Sequence, residues 1–305
     1  LDLAVIASAI TYFQAIVIGL LQGVTELFPI SSLGHSVLVP ELFGWDSLVK
    51  GQAQGESFYL AFLVGLHVAT AIALLIFFRH DWVKVIGGFF SSIRKRKIET
   101  SAERMAWLLV VGTIPVGIVG LAFEHKLRTV FAKPMAAAIF LTINGVILLL
   151  GERLRRSAEV RKLAATHEHH VDEAHEVTRN LDTLEMREGV FIGASQILAL
   201  FAGISRSGVT MVSGLLRGLD HEDAAHFSFM LATPIILAAG FYKLPDLMGH
   251  NGDGIRGQVV VGSIVAGLAA YVSVRFLTNF FKTRTLMPFA IYCLVVGPAM
   301  IVYLH

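Results

Sequence analysis

The chain has 305 residues, of which 55% are hydrophobic and only 16% are Asp, Glu, Lys or Arg, with a formal net charge of +2. Soluble domains carry about 25% charged residues, so this balance excludes an ordinary water-soluble globule. The single cysteine, Cys293, excludes a disulfide framework or a thiolate metal site within the chain.

The first predicted element is an interrupted one. AIVIGLLQGVTELFPISSLGHSVLVPELFG (15–44) begins as an apolar helix, breaks at Pro29 and resumes as a second short apolar run. It leads into a polar motif rather than a cleavage site, so no cleavable signal peptide is expected. A full apolar run follows at 58–78, then the charged loop 79–105, a span at 106–123, the short segment 124–133 and a span at 134–151. The polar loop 152–188 precedes a second interrupted stretch, GVFIGASQILALFAGISRSGVTMVSGLLRG (189–218). Three further spans occupy 224–241, 258–274 and 288–304. Crossing a bilayer takes roughly 17–25 mostly apolar residues, so the sequence describes an all-α polytopic membrane protein with about six transmembrane helices.

Charge sets the expected orientation. Loop 79–105 holds Arg79, Lys84, Arg94, Lys95, Arg96, Lys97 and Arg104, and loop 152–188 is similarly rich in arginine. Two spans separate them, so they share a side, and the positive-inside rule makes that side cytoplasmic. The two interrupted stretches then enter from opposite faces, as an inverted-topology repeat whose broken, re-entrant helices meet near the midplane. The expected organisation is 1–151 as the first repeat, with its re-entrant pair at 15–44, then 152–188 as a charged cytoplasmic loop. The second repeat is 189–305, with its re-entrant pair at 189–218. Two complete kinked spans are the alternative reading. Irregular backbone at membrane depth has to be covered by protein or line a wet cavity, so the polar residues of both stretches are expected to line a pocket.

Those residues carry chemistry. Gln22 and Glu26 lie four apart, on one face of the helix before Pro29, and an ionisable side chain at that depth is a functional candidate. After the break, Ser31, Ser32, Gly34 and His35 open a new helix, whose N-terminal N–H groups favour anions. The second motif, Ile204-Ser205-Arg206-Ser207-Gly208-Val209-Thr210, sets three hydroxyls around one arginine. A guanidinium fork suits phosphate oxygens, although a salt bridge to Glu26 would also satisfy it. Ser32 and His35, three apart, pair a nucleophile with a base, and the same imidazole could activate a water instead of the hydroxyl. The expected site therefore uses Glu26, Ser32, His35 and Arg206 in catalysis and Ser31, Ser205, Ser207, Thr210 and Arg206 on phosphate.

At these residues the sequence resembles the undecaprenyl-diphosphate phosphatase family, the bacitracin-resistance proteins of the bacterial cytoplasmic membrane. QGVTELFPISSLGH (22–35) matches the family's first motif, and AGISRSGVT (202–210) its second, with Ala202 in place of a proline. FSFMLATP (227–234) and PFAIY (288–292) are also similar, so the resemblance covers nearly the whole chain. It implies hydrolysis of undecaprenyl diphosphate to the monophosphate and phosphate, with recycling of the carrier lipid for peptidoglycan synthesis. It implies a site open to the outer side of the inner membrane, and a divalent cation, Mg²⁺ or Ca²⁺, held by Glu26 and also Gln22. Gln22 replaces a family glutamate, which weakens that cation site. The type 2 phosphatidic-acid phosphatases are excluded, because Val212 stands where their motif requires histidine.

Other polar features read as structural. The histidines of THEHHVDEAHEV (166–177) belong to a solvated cytoplasmic segment, and His67 and His226, inside spans, read as helix-packing hydrogen bonders. IRKRK (93–97) is an orientation signal beside anionic headgroups rather than a nucleic-acid patch. The expected partners are a polyprenyl diphosphate substrate and membrane lipids, with no nucleic acid. Oligomeric state is left open, a homodimer included. The alternative function class is a transporter, channel or lipid flippase for an anion, since broken helices also build carrier sites; the Ser32–His35 pair is what a carrier would not need.

Overall fold

The structure, a computed structural model, describes residues 10–50, 58–131, 133–167, 179–249 and 254–305. Among these residues all regular elements are helical. They are α1 (Tyr12–Thr25), α2 (Ser32–Leu42), α3 (Asp46–Lys50), α4 (Phe58–Phe77), α5 (Arg79–Lys95), α6 (Ser101–Phe131) and α7 (Pro134–His167). A second set comprises α8 (Met186–Ser195), α9 (Arg206–Leu216), α10 (His221–Met248), α11 (Arg256–Phe280) and α12 (Met287–Leu304). The histidine-rich stretch beyond His167 lies outside the described residues.

Six helices, α4, α6, α7, α10, α11 and α12, contain segments long and apolar enough to cross a bilayer. The outer face of α11 shows what such a segment is built for. Val260, Ile264, Leu268, Val272 and Phe276 recur every four residues and are all exposed, one stripe of a helix. In water a stripe of that size would be an aggregation liability, whereas in lipid it faces its own solvent. The protein is a multi-pass membrane protein.

With lipid as apolar as leucine, helices associate by close backbone approach and interhelical hydrogen bonds. The α8–α6 crossing depends on this: a Cβ on Gly193 would lie 2.1 Å from the Gly112 carbonyl oxygen. A comparable approach joins α1 to α11 at Gly19 and Gly262. Elsewhere α12 packs on α7, α10 on α4, and α11 on both α1 and α4.

Loop 79–105 contains more order than a charge count suggests. Arg79–Lys95 is a helix, with Val85 buried beneath it. The turn into α6 is closed by a reciprocal cap. Glu103 Oε2 accepts from the Glu99 and Thr100 amides at 2.7 and 3.1 Å, while Thr100 Oγ1 accepts from the Glu103 amide at 3.2 Å. Four of the loop's basic residues, Arg79, Lys84, Arg94 and Lys95, are thus carried on this helix, which packs against α6.

Both interrupted stretches are broken where the motifs predict. Between α1 and α2 the chain leaves the helix at Glu26 and re-enters at Ser32. Between α8 and α9 it passes through a 3₁₀ turn at Gln196–Leu200 and re-enters at Arg206. Ala202 does not close the second break, because Gly203 adopts φ +113°, a conformation open to glycine at little cost. A Cβ there would also lie 2.4 Å from the Ala137 carbonyl oxygen of α7.

Candidate active site

The two breaks meet. Ser31 takes φ +71°, unusual for a residue with a side chain. Its hydroxyl caps α2 by accepting from the Gly34 amide at 3.2 Å, and it accepts from the Gly203 amide of the other break at 3.1 Å. Asn144, on α7, completes the joint: its amide donates to the Pro29 carbonyl at 2.9 Å and its oxygen accepts from the Ser205 amide at 3.0 Å. Strained backbone persists where its surroundings over-determine it, and these bonds do so.

Around this joint lies a single carboxylate. Glu26 is 7% exposed, and four side chains converge on it. Ser32 Oγ donates to Oε2 at 2.5 Å and Gln22 Nε2 donates to the same oxygen at 3.1 Å. Arg206 Nη2 donates to Oε1 at 3.1 Å. His67 Nε2 stands 3.4 Å from Oε2. The salt bridge that the sequence reading set against phosphate binding is therefore present, as expected for a buried guanidinium that must pair. It engages one edge of Arg206, and Arg206 also lines a cavity of about 390 Å³ together with Glu26, Ser31, Ser32, His67 and Ser205. Most of the remaining lining is apolar, among it Leu60, Val64, Leu200, Ile235 and Ile236, with Gln196 and Lys243 as its polar members.

The other expected site residues are placed differently. His35 does not reach Ser32. Its Nδ1–H donates to the Ser31 carbonyl at 2.7 Å and its Nε2 accepts from the Tyr292 hydroxyl at 2.8 Å, and it is not among the residues lining the cavity. Residues three apart on a helix are neighbours, but the Ser31 carbonyl four residues back and the Tyr292 hydroxyl capture the ring and turn it from Ser32. The group hydrogen-bonded to the Ser32 hydroxyl is Glu26. Ser205 caps α9 by accepting from the Gly208 amide at 3.2 Å. Ser207 Oγ donates to the Phe28 carbonyl at 3.3 Å. Thr210 Oγ1 lies 2.8 Å from the Arg206 carbonyl and 2.6 Å from Ser228 Oγ. Ser205 and Ser207 brace one break against the other through the Phe28 carbonyl, Thr210 ties α9 to α10, and of the three only Ser205 also borders the cavity.

Sequence reading missed three residues here. His67 was read as a packing group because an imidazole in an apolar span carries no sequence signal of direction. Asn144 offered a signal that went unused, an amide alone in the apolar run FLTINGVILLL, where an unpaired amide would be costly. Gln196, aligned with Gln22 in the second stretch, is buried and lines the cavity. His226, the other span histidine, stacks on Phe78 at 5.1 Å and faces Asp81 at 3.4 Å, away from the site.

Comparison with known proteins places this arrangement among relatives. The chain matches the family described as bacitracin resistance protein BacA over residues 15–299. It is 57% identical to undecaprenyl-diphosphatase 2 of Frankia alni, over 94% of this chain and 96% of that protein. Identity to the undecaprenyl-diphosphatase of Mycolicibacterium paratuberculosis is 58%, over 97% and 98%. The undecaprenyl-diphosphatase of Granulibacter bethesdensis is 42% identical over 96% of each chain.

Proposed function

This chain belongs to the bacitracin resistance protein BacA family, and from that premise and its site we infer that it is an integral membrane phosphatase acting on undecaprenyl diphosphate. It releases undecaprenyl phosphate and inorganic phosphate, returning the carrier lipid to peptidoglycan synthesis and conferring resistance to bacitracin. The observation that carries the catalytic reading is the 2.5 Å bond from the Ser32 hydroxyl to Glu26, with Arg206 on the same carboxylate.

In the proposed reaction, Ser32 Oγ attacks the terminal phosphorus as its proton passes to Glu26 Oε2. The bond from that phosphorus to the bridging oxygen breaks, and the lipid monophosphate leaves with the bridging electrons. Water then adds its hydroxyl to the phosphoserine phosphorus, the phosphorus–Oγ bond breaks, and Ser32 regains the proton from Glu26. The second hydrogen of the water departs as a proton. Arg206 supplies fixed positive charge to the phosphoryl oxygens in both steps, where an apolar cavity strengthens it.

A divalent cation fits this site in one way. Gln22 Oε1 is buried without a partner among the described residues, and it lies on the side chain bonded to Glu26. Those two groups would hold the ion together with substrate phosphate oxygens, as Mg²⁺ is commonly held. When bound, it would neutralise diphosphate charge. Among the described residues no cluster of three acidic, histidine or cysteine ligands accompanies them.

Membership of the family supports an inner-membrane location, and the positive-inside rule supports an orientation with the basic segments 79–105 and 152–188 inside. The cavity extends from Glu26 toward Leu60 near the start of α4 and Lys243 near the end of α10. Both are helix ends distant from those basic segments in the chain, which supports an opening to the outer side. The two broken stretches and the paired small-residue crossings, Gly19–Gly262 and Gly193–Gly112, support an inverted repeat of 1–151 and 189–305.

The test is phosphate release from undecaprenyl diphosphate by the purified protein in detergent. Release by the wild type, lost in Ser32→Ala and Arg206→Ala with folding intact, supports the reading. Full activity in Ser32→Ala would replace the serine route by direct attack of water, and no release from any prenyl diphosphate would favour transport.

A further inference from the structure

Glu26 faces a conflict built into its surroundings. Arg206 presents a planar fork, and a guanidinium and a carboxylate gain most when two parallel N–H···O bonds form. If both carboxylate oxygens turned onto Arg206, Oε2 would leave the Ser32 hydroxyl and the guanidinium would be closed to phosphate. The observed pairing is one-sided instead, with Nη2 on Oε1 while Oε2 stays on Ser32. Gln22 Nε2 shares Oε2 at 3.1 Å, but it comes from the same stretch as Glu26, so fixing the carboxylate against Arg206 takes a contact from outside that stretch.

We propose that His67 is the positioning residue that holds the Glu26 carboxylate turned toward Ser32. The assignment rests on the reading that Glu26 serves the Ser32 hydroxyl. His67 comes from α4, a helix outside both breaks, so it anchors the carboxylate to the bundle rather than to either motif. Its ring is itself oriented: Nδ1 lies 2.8 Å from the Leu63 carbonyl one turn back. A carbonyl only accepts, so Nδ1 keeps its hydrogen and Nε2 points at Glu26 Oε2, 3.4 Å away. Two bare acceptors would repel, so the contact holds a proton between nitrogen and oxygen. The charged groups facing the ring are Glu26 and Arg206, with Lys243 at the end of the same cavity. Of the two imidazoles near the first break, His67 borders the cavity, whereas His35 is turned to Tyr292.

A glutamine at this position presents an amide donor at about the reach of Nε2, and leucine fills the space without one. In the undecaprenyl diphosphate assay, His67→Leu is expected to lower kcat about 10²-fold, the scale of a misplaced reacting group. His67→Gln is expected to stay within about tenfold of the wild type. Both are compared at equal Tm, and His67→Ala replaces the leucine variant if that protein does not fold. Wild-type activity in His67→Leu, or equal losses in His67→Leu and His67→Gln at unchanged Tm, would overturn the assignment. Ser32→Ala is the internal reference. If this assignment alone is wrong, the wild type still exceeds Ser32→Ala while His67→Leu follows the wild type. If the phosphatase reading is wrong, the wild type itself releases no phosphate, and if only the serine route is wrong, Ser32→Ala keeps the wild-type rate.

Discussion

The two breaks use the same local design for different ends. In each, a serine caps the returning helix and accepts from the glycine amide three residues on: Ser31 from Gly34, Ser205 from Gly208. The residue after the cap then reaches the same carboxylate, Ser32 at Oε2 and Arg206 at Oε1. The first break supplies the reactive hydroxyl and the acid, while the second supplies a cation and hydroxyls spent on bracing. The strain is divided too, with φ +71° at Ser31 and φ +113° at Gly203. The two breaks share their caps and differ in the first helical residue.

The largest test of that division is chemical. Glu26→Gln in the first break is expected to lower kcat by 10²–10⁴-fold, the usual worth of a positioned proton acceptor. Ser207→Ala in the second should stay within about tenfold, because its hydroxyl meets the Phe28 carbonyl and the Ser205 hydroxyl rather than the Glu26 carboxylate, bonds of about 1 kcal/mol each. Phosphate release by the two purified variants checks the contrast, and similar losses in both would break it.

The joint between the breaks should yield next. Asn144→Leu leaves the Pro29 carbonyl and the Ser205 amide without their partner, at about 1–3 kcal/mol for each group. A thermal melt in detergent should show a clear fall in Tm, with activity reduced even below the new transition. Gly203→Ala meets both a positive φ and the Ala137 carbonyl, and about 1–3 kcal/mol is expected for the strained conformation alone. The same measurement checks it.

A finer comparison sets the caps side by side. Ser205→Ala should cost about 1 kcal/mol, the ordinary worth of an N-cap. Ser31→Ala should cost more, because its cross-joint bond to the Gly203 amide at 3.1 Å is shorter than the 3.5 Å contact of Ser205 Oγ with the Phe28 carbonyl. Equal losses in Tm would mean that the cross-joint bond contributes nothing.

The smallest effect lies at the entry to the second break. Arg179 pairs with Glu188 at 2.9 Å, and its side chain and backbone also bond the Arg217 and Gly218 carbonyls. The hydrogen-bonded guanidinium holds the Glu188 carboxyl below the usual carboxylate range. A carboxyl with a lowered folded pKa stabilises above its unfolded value, about 4.3 for Glu, and loses that contribution as pH falls through the folded value. The pair is partly exposed, so Glu188→Gln should cost at most about 1 kcal/mol at neutral pH. A Tm difference that shrinks as the pH falls below about 4 checks it.

Much of this was legible in the chain. Six apolar runs read as membrane helices because length and hydrophobicity alone decide what can cross lipid, and the breaks were marked by Pro29, by Gly203 and by the serines that follow. Glu26, Ser32 and Arg206 stood out because polar groups in an apolar stretch must have a reason to be there. Partnership was not legible. Sequence spacing proposed His35 as the base for Ser32 from three residues away, and it gave no ground for choosing His67 from a helix further along the chain. Spacing along a helix fixes which residues share a face, whereas a ring's direction depends on which distant carbonyl or hydroxyl captures its nitrogens. Composition and local pattern therefore determined the architecture and the stock of reactive groups. Tertiary packing alone decided that Glu26 would be their common centre, because only the docking of two broken stretches, joined through Asn144 and packed beside α4, brings a hydroxyl, a guanidinium and an imidazole onto one carboxylate.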